Sequence, residues 1–152
     1  MVNYYAPNTR QHLRVWLKLL KTSSNVEAML RERLRRECGT TLPRFDVMAA
    51  LDHHPAGLRM SQLSRFLKVS NGNTTGIVNR LVDEGLIECT QDSIDRRAHK
   101  VCLSSSGKKE FEHLAKLHAQ WIDDIMSPLN TEQSDTLIAL LEKLTNFGAT
   151  QP

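Results

Sequence analysis

Apolar residues recur at helical spacing over most of this chain, and in two short stretches they alternate instead. Leu13, Trp16, Leu17 and Leu20 begin one stripe, and Val26, Met29, Leu30 and Leu34 resume it. They predict a long helix over 10–37 after a polar tail, with Thr22–Asn25 as a place to bend and Gly39 as its stop. Pro43 suits the first turn of the next helix, 43–53, whose apolar positions are Phe45, Val47, Met48 and Leu51. Pro55-Ala56-Gly57 ends it. A short helix over 60–69 follows, carrying Met60, Leu63, Phe66 and Leu67. Ser70 is read as the N-cap of another helix, which stops at Gly85. Leu86–Thr90 and Lys100–Ser104 then alternate with period two, as half-buried strands do. In the second strand Val101 and Leu103 point one way, and Lys100, Cys102 and Ser104 the other. Helices over 105–125 and from Thr131 onward close the chain, with Pro128 between them and Thr131 as the cap.

Two short helices across a tight turn, followed by a hairpin, describe a winged helix-turn-helix. The expected fold class is mainly α with a small β-wing, in a single domain of 152 residues. Residues 43–104 form the winged helix-turn-helix, and 10–38 and 105–147 form terminal helices. Those helices carry more apolar surface than so small a module covers. A homodimer, joined through the terminal helices, is the expected solution.

Charge sharpens this picture. The formal net charge is only +3. Residues 1–109 carry 18 Lys/Arg against 10 Asp/Glu, a net +8, whereas 110–152 carry 2 against 7, a net −5. A basic working surface and an acidic remainder fit a polyanionic partner. The hairpin tip, 91–99, holds Arg96 and Arg97, with Asp95 placed to brace Arg97 and Lys100 following. Arginine suits the narrow, electronegative minor groove of DNA. In the helix after Ser70, Thr74, Ile77, Val78 and Leu81 face inward at helical pitch. Gly72, Thr75, Gly76 and Asn79 face outward, flanked by Asn71, Asn73 and Arg80. Asparagine reads adenine by paired hydrogen bonds in the major groove, and glycine lets a helix backbone approach closely. Double-stranded DNA is the expected partner.

Other chemistries find little support. There is no GxSxG, phosphate-binding loop or dinucleotide fingerprint, so no enzyme and no cofactor are expected. His53-His54, His113 and His118 lack the i,i+4 spacing of a helical metal pair, so no metal site is expected. The three cysteines, Cys38, Cys89 and Cys102, are scattered and suit reduced thiols. Arg35 and Arg36 near Cys38 would lower its pKa, which keeps a redox-responsive regulator as one alternative. A winged module for protein contact is another. No apolar run is long enough for a membrane span, and the N-terminus lacks a leader pattern; a cytoplasmic protein is expected.

The segment Asp95-Arg96-Arg97-Ala98-His99-Lys100-Val101-Cys102-Leu103-Ser104-Ser105-Ser106-Gly107 resembles the wing of the MarR family of transcription regulators. That family's pattern is Asp-x-Arg-x-x-x-Val-x-Leu-Thr-x-x-Gly. Asp95, Arg97, Val101, Leu103 and Gly107 match it, and Ser104 stands where the family has Thr. Leu42–Met48 and Val69–Asn73 are similar to a branch of the family linked to aromatic-acid catabolism. The resemblance implies a homodimer with interlocked first and last helices, two helices in successive major grooves, and Arg97 in the minor groove. It implies a repressor that responds to a small molecule held between the terminal helices and the DNA-binding lobe. His12, Trp16, Arg44, Phe45, Met48, His118 and Trp121 are the candidates to line that cleft, a set suited to an aromatic carboxylate or its acyl-CoA thioester. One departure from the family is Arg59, where many members have a capping Thr; Ser61 is the alternative cap, one turn later.

Overall fold

A computed structural model describes residues 6–67, 71–91 and 99–149. Among these, six helices and three strands follow in order: α1 (Pro7–Cys38), α2 (Leu42–Asp52), β1 (Leu58–Arg59), α3 (Met60–Leu67), α4 (Asn71–Asp83), β2 (Ile87–Gln91), β3 (His99–Leu103), α5 (Ser105–Met126) and α6 (Thr131–Ala149). The chain divides inside α5 into two units, residues 1–118 and 119–152.

In the first unit, α1 starts three residues earlier than its apolar stripe predicts. Pro7 has no N–H to leave unpaired in the first turn and its φ is already helical, so it opens the helix. The helix continues through Thr22–Asn25. Its 32 residues span about 48 Å. Gly39 ends it in the left-handed region at φ 61, and the Thr40 N–H donates to the Leu34 carbonyl at 3.2 Å. Only the C-terminal part of α1 enters the core of this unit, through Leu30 and Leu34. They meet the buried face of α2, which is Phe45, Val47, Met48, Ala50 and Leu51. Leu63 of α3, Val78 and Leu81 of α4, Leu58, Ile87, Val101 and Leu103 of the strands, and Leu114 of α5 complete that core.

The sheet has the order β1-β3-β2, with both pairs antiparallel. Ile87 sits opposite Leu103, and Leu58 opposite Val101, so one face of the sheet is apolar and buried. Strand β1 is absent from the hydrophobic pattern, because two residues carry no period. At its end Arg59 occupies the cap position of α3, and the Gln62 side chain accepts from the Arg59 N–H at 2.9 Å. That is half of a capping box, so α3 begins at Met60 and is not capped by Ser61.

The end of α4, the root of the wing and the start of α5 meet at one place. Gly85 is left-handed at φ 73. Its N–H donates to the Val82 carbonyl at 2.9 Å, and the Leu86 N–H to the Leu81 carbonyl at 2.9 Å, the paired bonds of a Schellman ending. Ser104 leaves the strand to become the N-cap of α5: its Oγ accepts from the Gly107 N–H at 3.0 Å and donates to the Gly85 carbonyl at 2.7 Å. It is therefore buried, and not outward-facing as strict alternation predicts. The Ser106 hydroxyl also donates to the Gly85 carbonyl, at 2.8 Å. The Ser104 N–H donates to the Leu86 carbonyl at 3.0 Å. A Cβ on Gly107 would lie 1.9 Å from that same Leu86 oxygen.

In the second unit, α6 is capped by Asn130 and not by Thr131. The Gln133 N–H donates to Asn130 Oδ1 at 2.9 Å, and the Asn130 N–H to Gln133 Oε1 at 3.0 Å. This reciprocal pair is a capping box with amides in place of the hydroxyl and carboxylate. Thr131 is the first helical residue.

Two glycine substitutions should move stability in opposite directions. Gly107→Ala forces a methyl into the Leu86 carbonyl and should destabilise the fold by about 1–3 kcal/mol or more. Gly76→Ala meets nothing within 4 Å and should stabilise α4 by about 0.5–1 kcal/mol. Urea midpoints of the two variants against the unaltered chain measure both.

Candidate nucleic-acid interface

Helix α4 separates its two faces cleanly. Thr74, Val78 and Leu81 are buried and Ile77 is half-buried, as the helical spacing predicts. Gly72, Asn73, Thr75, Gly76, Asn79 and Arg80 are exposed on the other side. Neither Gly72 nor Gly76 has anything within 4 Å of the position a Cβ would take. Among the described residues no packing therefore demands glycine at either place, although each weakens the helix. The exposed face offers amide, hydroxyl and bare backbone, edged by the cation of Arg80.

The wing root adds positive charge. Register sets Arg59 opposite Lys100, and Lys100 opposite Thr90, so the two cations stand side by side across β1 and β3. Arg59 was not among the sequence candidates, because the strand that aligns it with Lys100 is too short to show a pattern. Ser70, Asp95, Arg96 and Arg97 lie outside the described residues, as does the Asn71 side chain.

The seven candidates for a ligand cleft have different surroundings. His12 and Trp16 are exposed on α1. Met48 is buried in the first unit, and Trp121 is buried on α5 in the second. Phe45 and His118 are brought together, stacked with ring centroids 4.7 Å apart at 21°. Phe111 lies on Phe45 at 5.6 Å, a neighbour absent from the candidate set. Burial of its ring pushes His118 below the usual imidazole pKa. Arg44 is already engaged. Its Nη1 donates to Glu84 Oε1 at 2.7 Å and its Nη2 to Glu84 Oε2, a two-pronged pair across 40 residues of sequence. The hydrogen bond from Arg44 holds the Glu84 carboxyl below its usual range, and Glu84 holds Arg44 above its own. A ligand carboxylate reaching for Arg44 must displace Glu84. Nothing local in the sequence marks that pairing.

Cys38 behaves contrary to the expectation of an activated thiol. Burial raises its pKa, and Glu37 and then Glu110 raise it further. Arg35, expected to act in the opposite direction, is held by the Glu32 carboxylate at 2.7 and 3.0 Å. Among the described residues no three His, Cys, Asp or Glu side chains cluster as metal ligands. No described helix is long and apolar enough to cross a membrane.

Comparison with known proteins agrees with this geometry. Residues 40–99 match the model of the MarR family. The transcriptional activatory protein BadR of Rhodopseudomonas palustris is 30% identical over 113 residues, covering 72% of this chain and 65% of BadR, so the match spans less than two thirds of that relative. Among solved structures, a MarR family transcriptional regulator from Silicibacter pomeroyi is 28% identical, with a TM-score of 0.77 over 93% of this chain and 98% of that one. Sco3205, a MarR family regulator from Streptomyces coelicolor solved in complex with DNA, is 19% identical and shares the fold, with a TM-score of 0.79 over 100% of this chain and 93% of its own.

The His118 shift has a pH consequence of definite sign. Its folded pKa lies below the unfolded one, so below the ordinary imidazole value of about 6.5 the unfolded chain binds more protons. This contribution is fully present above that value and is lost as pH falls towards the folded pKa. His118→Phe keeps a ring against Phe45 and should flatten that part of the pH dependence. Urea unfolding at a series of pH values from about 7.5 to 5.5 measures it.

Proposed function

We propose that this chain, whose residues 40–99 match the model of the MarR family, is a sequence-specific DNA-binding transcription regulator of that family. The observation that carries this reading is the exposed face of α4, polar and glycine-bearing where no described residue packs against either glycine. In this reading α4 enters the major groove. Gly72 and Gly76 let its backbone approach, Asn73, Thr75 and Asn79 read base edges, and Ser70 and Asn71 sit at its N-terminal end. Arg80 and Lys100 meet phosphates, and Arg97, braced by Asp95 and beside Arg96, enters the minor groove. The DNA complex known for Sco3205 supports the reading by fold. The protein acts as a non-enzymatic, cytoplasmic repressor.

It works as a homodimer on a palindromic operator. The support is unspent apolar surface on both terminal helices. Leu13, Trp16, Leu17 and Leu20 of α1 are exposed, as are Leu137, Ile138, Leu140, Leu141 and Leu144 of α6. So much exposed apolar surface in stripes marks a contact with another chain. The regulator also answers a small effector, an aromatic carboxylate or its acyl-CoA thioester. The ring surface of Phe45 and His118 supports that finer reading. A thermal-shift screen of such acids and thioesters tests it, since a ligand of the native state raises apparent stability.

Sedimentation at micromolar concentration should show two chains; a clean monomer would sink the dimer. For base reading, a duplex is first selected with the unaltered protein from a random library. Asn79→Ala should cost about 1–3 kcal/mol on that duplex, with little loss on a scrambled one and an unchanged salt slope. Arg80→Ala should weaken both duplexes and reduce the salt slope by about one. Equal losses on both duplexes in Asn79→Ala would mean that α4 does not read bases.

A further inference from the structure

Arg44 and Glu84 stand at the wrong ends of their helices. Arg44 is the third residue of α2, where a helix N-terminus disfavours a cation. Glu84 directly follows α4, with its N–H donating to the Arg80 carbonyl at 3.0 Å, where a helix C-terminus disfavours an anion. Each is poorly placed alone, and each is neutralised by the other through a fork-to-fork contact. The guanidinium side chain is only 22% exposed and the carboxylate 47%. Arg44 Nε is buried with no hydrogen bond among the described residues. The arginine is thus committed to Glu84 with part of its donor capacity left unused, an arrangement that local helix stability does not explain.

Position explains it. Glu84 lies one residue before the Schellman glycine, at the end of the helix whose exposed face carries Asn73, Thr75 and Asn79. We propose that Arg44 is a positioning residue for DNA recognition: through Glu84 it fixes the C-terminal end of α4 against α2 and so sets the angle at which α4 meets the groove. This rests on the DNA-binding reading above. Arg44 touches no DNA in this scheme. A planar, two-pronged contact is needed because a single point charge fixes distance but not orientation.

The test uses the full chain, the duplex selected with the unaltered protein, and a scrambled duplex, with three variants. Glu84→Gln removes a negative charge close to the DNA, so electrostatics alone predicts tighter binding to both duplexes. Positioning predicts that the ratio of selected to scrambled affinity falls by about fivefold or more. Arg44→Lys keeps the charge but not the fork and should lower the ratio in the same direction. Asp83→Asn makes the same charge change one residue earlier without touching Arg44, and should leave the ratio unchanged. Amide hydrogen exchange of the DNA-free protein should quicken at residues 80–86 in Glu84→Gln and not in Asp83→Asn. If Glu84→Gln and Asp83→Asn behave alike, the pair does not position α4. If exchange quickens throughout the chain and both duplexes lose affinity together, the pair is merely structural and the inference is overturned. An unaltered protein that enriches no duplex overturns the DNA reading and this inference with it. The exchange arm needs no DNA, so it separates that failure from a pair that does not hold α4.

Discussion

Two consecutive carbonyls, those of Gly85 and Leu86, join the end of α4, the root of the wing and the start of α5. The Gly85 oxygen accepts from the hydroxyls of Ser104 and Ser106, and the Leu86 oxygen from the Ser104 backbone N–H. Ser104 meanwhile caps α5 through Gly107, and Gly107 must be glycine because the Leu86 oxygen occupies the place of its Cβ. Chain direction changes twice here within a few ångströms. The buried polar groups are all satisfied by one another, so none bears an uncompensated desolvation cost of about 1–3 kcal/mol. The wing leaves this joint as a pair of strands, and α4 arrives at it as a helix, so their mutual geometry is set here. The motif Val-x-Leu-Ser-x-x-Gly, ending at Gly107, is thus a description of the joint: two inward strand residues, a cap, and a glycine at the closest approach.

Helices were legible in the sequence wherever a stripe of apolar residues had room to repeat. The inward positions of α4, Thr74, Val78 and Leu81, follow from pitch alone, and its end follows from Gly85. What escaped was decided by partners distant in sequence or by groups without periodicity. β1 is two residues long, and only its pairing with β3 reveals it. The capping of α6 went to Asn130 because its side-chain oxygen accepts from the Gln133 N–H while the Gln133 side chain accepts from the Asn130 backbone N–H. Thr131 is an equally good capping residue in composition, one position too late. Among the site residues, the exposed polar face of α4 was visible at once. The engagement of Arg44 by Glu84 was not, since a basic residue among aromatic ones looks equally like a ligand-binding group. The wing arginines, Arg96 and Arg97, lie outside the described residues.

Electrostatics at helix ends gives a second layer of order. Arg35 and Arg36 in the last turn of α1 complement its dipole. Arg44 and Glu84 do the reverse. Exposed pairs such as Lys116 with Glu112, one turn apart on α5, contribute little and fix nothing beyond their own helix. The Arg44–Glu84 pair differs in kind. It spans two helices, is partly shielded from water, and uses both prongs of each group.

These features bear together on α4, which is a weak helix by its own composition. Its 13 residues include two glycines and three asparagines, and a helix of that length is marginal in isolation even with good formers. Its shape is therefore borrowed from the three buried side chains on one face and from the fixings at its C-terminal end. Those fixings are the Schellman turn, the Gly85 carbonyl held by two serines, and the Glu84 carboxylate held by Arg44. A helix built this way can keep its outer face free of bulk, since its stability does not depend on what that face carries. In the positioning scheme proposed above, the C-terminal fixings set the attitude of the helix as well as its last turn. Among them the ion pair is the one that a competing anion can open without breaking any buried backbone hydrogen bond.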